Sequence, residues 1–279
     1  MPELPEVETI ARTLRSGERH RGLTVVGQKI TGVKVLWDRT LANISPEQFK
    51  SRIIGQVVEN VSRRGKFLVF TLSADTLLMH LRMSGDVRIE AGVDKKELEL
   101  ALQPHDRLVL LFESGQRLAF NNPRKFGRVW LAENPGQILD ALGPEPLDIG
   151  LTDEVFYGML LSHRRMMKPL LMDQNFLAGM GNIYTDEALF RARLHPRRVS
   201  NTVSEKESEL LLQEIRNVLK EGIQRNGASI DWVYRGGDFQ NEFKVYGRKD
   251  EPCTVCGTEI IRILVGQRGT HICPTCQKT

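Results

Sequence analysis

Three things are scarce in this 279-residue chain: long apolar runs, cysteine and excess charge. No apolar stretch approaches the ~18 residues of a membrane span, which excludes a transmembrane helix. The start, MPELPEVETIARTLR, carries carboxylates where an export signal has basic residues and an apolar core, so a cytoplasmic protein is expected. Cysteine occurs four times, always within the last 27 residues. The net charge is only +4, split as +2 in residues 1–150 and +2 in 151–279, so neither half is a basic tail. Internal repeats and low-complexity tracts are also missing. With 41% hydrophobic and 27% charged residues, a disordered, collagen-like or coiled-coil chain is excluded. The length fits one large domain or, better, two.

The charge that is present is clustered. Arg63, Arg64 and Lys66, then Arg124, Lys125 and Arg128, then Arg164, Arg165 and Lys168, then Arg191, Arg193, Arg197 and Arg198 form four local groups. One such group is an ordinary solvated face; four are a weak sign of a polyanion-binding surface. The cysteines follow the pattern C-x2-C-x16-C-x2-C, as Cys253, Cys256, Cys273 and Cys276. Paired knuckles at this separation suit one tetrahedral Zn²⁺, a structural site because four thiolates leave no position open for water. Two redox pairs or four unrelated buried thiols are the alternative.

Hydrophobic spacing predicts a helix over 5–20, from Val7, Ile10, Ala11 and Leu14, with Pro5 in its first turn and Glu6 and Glu8 complementing its dipole. Strand-like runs follow at 24–36, 57–63, 66–72, 76–82, 86–90, 107–112, 117–120 and 128–132, with a hairpin turn at Arg64-Gly65. Short strands at this density predict a β-sandwich or barrel. After GPEPLD at 143–148 the pattern turns helical, near 152–162, 167–173, 182–192 and 204–226. The last helix is expected to bury Leu210, Leu211, Ile215, Val218, Leu219 and Ile223. Between these helices, GMGN places Asn182 at a helix start, where free N–H groups and a positive dipole suit a phosphate; a simple N-cap is the other reading.

The N-terminus is the most unusual feature. Proline in second position permits removal of Met1, and Pro2 then presents a secondary α-amine. Such an amine has a pKa near 8, against about 10.4 for lysine, so more of it is nucleophilic at neutral pH. It can attack an electrophilic carbon and form an iminium. Glu3 stands beside it as a proton donor and Glu6 lies one helical turn on. Taken alone, a Met-Pro start with capping glutamates is unremarkable.

The blocks PELPEVE (2–8), RRGKFL (63–68), HLRMSG (80–85), NNPRKFG (121–127), MKPLLMDQNFLAGMGNIYTDE (167–187) and VYGRKDEPC…GQRGTHICPTCQ (245–277) together resemble the formamidopyrimidine-DNA glycosylase family nearly end to end. A start of PELPE rather than PEGPE favours the purine-lesion branch over endonuclease VIII. The resemblance implies an α+β multidomain fold: an N-terminal β-sandwich with an N-terminal helix (1–135), a helix–two-turn–helix domain (136–235) and a C-terminal zinc finger (236–279). It implies a bifunctional glycosylase and abasic-site lyase on damaged double-stranded DNA, monomeric, with one structural Zn²⁺, no nucleotide cofactor and a bacterial nucleoid setting.

The same resemblance implies residue roles. Pro2 attacks C1′, Glu3 assists sugar opening, and Lys66 reaches the phosphate beside the lesion, with Glu6 and Lys168 in support. His80, Arg124, Asn182 and Arg268 contact DNA. Met83, Arg124 and Phe126 fill the gap left by the flipped nucleotide, Arg124 facing the widowed cytosine. On composition alone Met83 and Phe126 would be core residues; Arg124, Lys125 and Gly127 around Phe126 argue for a loop tip. The stretch 227–243, with Trp232 and Tyr234, is a few residues shorter than common family versions, which bears on lesion preference. An oxidised-pyrimidine enzyme and a non-catalytic zinc-finger DNA-binding protein are the competing functions.

Overall fold

The computed structural model describes residues 1–18, 22–91, 102–229 and 236–278. Trp232 and Tyr234 lie outside them. The chain divides into two compact units. The first takes in residues 1–2, 6–139 and 229–235, the second residues 3–5, 140–228 and 236–279.

Helix α1 (Leu4–Ser16), which belongs to the first unit from Glu6 on, buries Val7, Ile10, Ala11 and Leu14 along one stripe. It ends earlier than the spacing predicts. Gly17 adopts φ +75° and its N–H returns to Thr13 O at 2.9 Å, which closes the helix. Eight antiparallel strands follow among the described residues. β1 (Ile30–Val35), β5 (Asp86–Glu90), β6 (Asp106–Phe112) and β7 (Arg117–Asn121) form one sheet in the order β1-β6-β7-β5. β2 (Val58–Arg64), β3 (Phe67–Leu72), β4 (Thr76–His80) and β8 (Arg128–Ala132) form the other, in the order β2-β3-β4-β8. Side chains of both sheets, among them Phe70, Met79, Leu110 and Phe120, share one core with the apolar stripe of α1. This is a β-sandwich, as the strand density predicts. The expected strand 24–36 is real only from Ile30, because Gly27 turns the chain at φ +80°. Two short helices, α2 (Pro46–Ile53, with a Ser45/Gln48 capping box) and α3 (Gly136–Leu139), complete the unit.

The second unit contains α4 (Asp153–Leu161), α5 (Met167–Leu171), α6 (Asn182–Arg191) and α7 (Glu205–Gln224). Ser204 and Glu207 cap α7 reciprocally. Its buried face is Leu211, Leu212, Ile215, Val218 and Leu219; Leu210 is exposed, so the face is rotated by part of a turn from the expected one. Gly222 on the same face admits Tyr184, whose ring a Cβ there would meet at 2.6 Å. Tyr184 in turn stacks on Phe239 at 5.3 Å. The C-terminal segment forms a hairpin of β9 (Ile261–Val265) and β10 (Arg268–Ile272), and Phe190, Val245, Ile260, Cys253 and Cys273 make a small core beneath it.

Candidate active site and zinc centre

Pro2 and Glu3 are both buried, Glu3 at 2% exposure. The Glu3 carboxylate sits on the N-terminus of α6, accepting from the backbone N–H of Ile183 at 3.0 Å and of Tyr184 at 3.5 Å. Free N–H groups and the helix dipole therefore serve a carboxylate of the chain itself. The N–H groups of Ile183 and Tyr184, next to Asn182, thus face Glu3. The close approach depends on Gly181: a Cβ there would stand 2.2 Å from the Glu3 carboxyl carbon. Gly179, at φ +98°, admits Leu4 in the same way, and the Leu4 N–H donates to Gly179 O at 3.1 Å. Glu6 is buried at 2% on α1.

Lys66 stands at the tip of the β2–β3 hairpin. Arg64 pairs with Phe67, so the turn residues are Gly65 and Lys66, one place later than expected. Gly65 has φ +56° and Lys66 does not have a positive φ, the pattern of a type II′ turn, which requires glycine first. Lys66 is 5% exposed. His80 pairs with Phe67 across the sheet and packs its ring edge-on at 4.8 Å. Burial, with the Arg82 and Lys66 charges, pulls His80 down to about 3, so its ring is neutral. Its Nδ1 accepts from the Arg82 N–H at 3.1 Å, which puts the proton on Nε2 as a donor.

Met83 and Phe126 are exposed, at 45% and 59%, not core residues. They lie on two adjacent turns with Arg124, whose guanidinium reaches the Met83 sulfur at 3.8 Å. Two residues of the same blocks that were given no role of their own tie the turns together. Ser84 Oγ accepts from the Arg124 N–H at 3.3 Å, and buried Asn122 donates to Leu81 O at 3.1 Å. Gly85 and Gly127 both crowd that Asn122 amide, leaving no room for a Cβ.

Lys168 was expected near phosphate but is sealed inside the second unit. Its side chain is 0% exposed, and Nζ donates to Asp186 Oδ1 at 2.6 Å and to Gly269 O at 3.1 Å. Burial lowers its pKa, opposed by Asp186 and Glu3 and assisted by Arg268. Asn182 Nδ2 donates to the same Gly269 carbonyl at 3.3 Å, and Asp186 Oδ2 accepts from the His271 N–H at 2.9 Å. Lys168, Asn182 and Asp186 thus fix the backbone of β10 at Gly269 and His271, just after exposed Arg268. Glu187 does the same for the preceding loop, accepting from the N–H groups of Lys244, Val245 and Tyr246 at 2.8–2.9 Å. Asp186 and Glu187 escaped the sequence reading; their one signal is two adjacent acids in the middle of a helix.

The sulfurs of Cys253, Cys256, Cys273 and Cys276 lie within 4.8 Å of one another, with Sγ···Sγ of 3.9 Å for Cys253–Cys276 and 3.4 Å for Cys256–Cys273. Four thiolates about 2.3 Å from a tetrahedral zinc stand roughly 3.8 Å apart, so the cluster fits one such ion. It has no need of a disulfide to explain the spacing.

A β-sandwich followed by a helical unit that carries a four-cysteine zinc hairpin defines a class of zinc-finger proteins, and comparison with known proteins places the chain within it. Residues 1–129 match the formamidopyrimidine-DNA glycosylase N-terminal domain, 142–233 the H2TH domain of the same proteins, and 250–279 the zinc finger found in FPG and IleRS. Similar relatives include formamidopyrimidine-DNA glycosylases of Brevibacillus brevis (42% identity, 100% of this chain and 99% of the relative) and Protochlamydia amoebophila (39%, 100% of both). Among solved structures, the Lactococcus lactis Fpg in complex with N7-benzyl-Fapy-dG DNA matches with TM-score 0.88 and 36% identity, and covers all of both chains. A MutM complex with DNA containing carbocyclic 8-oxo-G matches equally, at the same score and identity. The chain belongs to the formamidopyrimidine-DNA glycosylase family.

Proposed function

We propose that the chain is a base-excision repair enzyme that removes oxidised purines, 8-oxoguanine and formamidopyrimidines, from duplex DNA and then cuts the abasic strand. The observation that carries this reading is family membership over the whole chain, with lesion-DNA complexes among the similar structures. With Met1 removed, the Pro2 nitrogen attacks C1′, the bond from C1′ to the damaged base breaks, and the base leaves with a proton. Opening of the sugar, assisted by Glu3, gives an iminium. Loss of a C2′ proton expels the 3′ phosphate and a second elimination expels the 5′ phosphate.

The geometry supports the assignments unequally. Glu3 is pinned by two N–H donors, which fix its carboxylate. Glu6 supports it from the next turn of α1. Lys66 and the neutral His80, through Nε2–H, are donors toward phosphate, and Arg268 reaches the backbone around the flipped nucleotide. Lys168 and Asn182 act behind Arg268, by fixing its strand. Met83, Arg124 and Phe126 form the wedge: a flipped nucleotide costs a few kcal/mol of lost stacking and pairing, and an exposed Met–Arg–Phe cluster refills the gap. Domain bounds of 1–135, 136–235 and 236–279, a monomer, and residence in the bacterial cytoplasm on the nucleoid belong to the same proposal. Among the described residues no helix is long and apolar enough to cross a membrane.

Borohydride trapping on duplexes with one lesion tests it. An adduct with 8-oxoguanine duplex, lost in Pro2→Thr while abasic-site binding persists, is expected. Wild-type trapping by Pro2→Thr makes a lysine the nucleophile. Preference for an oxidised pyrimidine supports the endonuclease VIII reading, and no adduct on any lesion leaves a DNA-binding protein without chemistry.

A further inference from the structure

We propose that Trp37 is a positioning residue for the Phe126 wedge, acting through Lys125; this rests on the wedge reading given above. The Lys125 ammonium lies 3.9 Å from the centroid of the Trp37 ring, within the range of a cation–π contact. Lys125 is the residue between Arg124 and Phe126, and its backbone is left-handed at φ +61°. A lysine does not settle in that region without something holding it. Its N–H is held by Asn122 O at 3.2 Å. Its side chain is held by Trp37.

Trp37 is itself anchored at both ends. On one side Leu36 donates to Arg107 O at 2.9 Å. On the other, Leu41 bridges Val129 and the Ala42 N–H donates to Val129 O at 2.9 Å. Val129 lies in β8, which begins directly after Gly127. The segment that carries Trp37 is therefore tied by its backbone to the same strand that leads out of the wedge turn, and the Lys125 side chain spans from that turn to the indole. Gly127 blocks the other side of the turn, packed on the Phe120 ring. Phe126, 59% exposed, thus stands between neighbours that are held before and after it. A preset wedge enters the duplex without first losing the freedom of a loose loop.

The test measures base opening by the fluorescence of 2-aminopurine beside an 8-oxoguanine, with undamaged-duplex affinity over a salt series. Trp37→Ala is expected to slow opening about two- to fivefold, the factor a half-exposed cation–π contact supplies, and to leave the salt slope of undamaged binding unchanged. Trp37→Phe keeps a ring face and recovers most of the rate. Lys125→Met slows opening alike, and adding Trp37→Ala to it slows opening no further. Site-specific mono-, di- and trifluorotryptophan at position 37 should lower the rate in step with fluorine count, which a purely steric role does not do. Wild-type opening by Trp37→Ala, multiplying losses in the double variant, or Trp37→Phe as slow as Trp37→Ala overturns the proposal. Phe126→Ala separates the two ideas. If it opens DNA normally, the wedge reading itself fails; if it is slow while Trp37→Ala is normal, only the role of Trp37 fails.

Discussion

A single methyl group at position 181 is expected to disturb Glu3, 178 residues away in the chain. Gly181 has extended backbone at φ −137°, which alanine adopts freely, so no conformational cost attaches to the change. The cost is all in the contact. The new Cβ would stand 2.2 Å from the carboxyl carbon of Glu3 and 2.4 and 2.6 Å from its oxygens, far inside van der Waals distance. Either α6 moves or Glu3 leaves the N–H groups of Ile183 and Tyr184. Overpacking costs about 1–3 kcal/mol, and hydrogen bonds to a charged group about 1.5–3 kcal/mol each, the 3.5 Å one contributing least. A loss of about 3 kcal/mol in urea unfolding follows, with a sharp fall in borohydride trapping. The decisive comparison is a double-mutant cycle. In a Glu3→Ala background the methyl has room, and Gly181→Ala should cost under about 1 kcal/mol, a coupling near 2 kcal/mol. Gly158 in α4 is the control, since a Cβ there meets nothing within 4 Å. Gly158→Ala should stabilise by about 0.5–1 kcal/mol. Equal costs of Gly181→Ala with and without Glu3 would refute the reasoning.

Other outcomes follow from the same geometry. His80, held near 3 against 6.5 when unfolded, contributes stability present in full above pH 6.5 and lost as pH falls toward 3; His80→Gln should flatten urea stability over that window, by at most about 5 kcal/mol. Asp86, raised by burial to about 6, has the opposite sign: its penalty is absent below pH 4 and complete above pH 6, so Asp86→Asn, which keeps the acceptor for Val87 N–H, should stabilise at pH 7 by at most about 3 kcal/mol. Cys253→Ser should lose zinc, measured by mass spectrometry of the metal, along with folding free energy on the order of 10 kcal/mol. Because Lys168, Asp186 and Glu187 all bond to the C-terminal segment, hydrogen exchange should then rise in α5 and α6 while the sandwich stays protected. Phe126→Ala should weaken cutting at a lesion without altering the salt slope on undamaged duplex, whereas Arg268→Ala should flatten that slope by about one.

The parts legible in the sequence are those set by local spacing. The apolar stripe of α1, the alternation in β3, the helical segments and the C-x2-C knuckles all depend on neighbours within a turn or a strand. What escaped depends on contacts between distant residues. GMGN was legible as a helix start, but the partner of that helix end is Glu3, and no periodicity links positions 3 and 183. The cluster around Arg164, Arg165 and Lys168 reads as surface charge, yet Lys168 is the deepest of the three, because Asp186 on another helix compensates its burial. Leu210 and Leu212 exchange roles because the packing of α7, not its average periodicity, selects the buried row. Met83, Arg124 and Phe126 stood out in their blocks, while Ser84 and Asn122, which hold those turns together, are ordinary polar residues whose importance is purely positional.

The seat of Glu3 on α6 also sets an order of events during synthesis. Residue 3 leaves the ribosome first, but the N–H groups that receive its carboxylate belong to residues 183 and 184. At about 5–20 residues per second, the chain waits roughly 10–35 s before that seat has even been made. The β-sandwich can close around the rest of α1 in the meantime, but residues 3–5 belong to the later unit. A partly made chain therefore carries its N-terminus with Glu3 unseated, and that seat is made only when the helical half has folded.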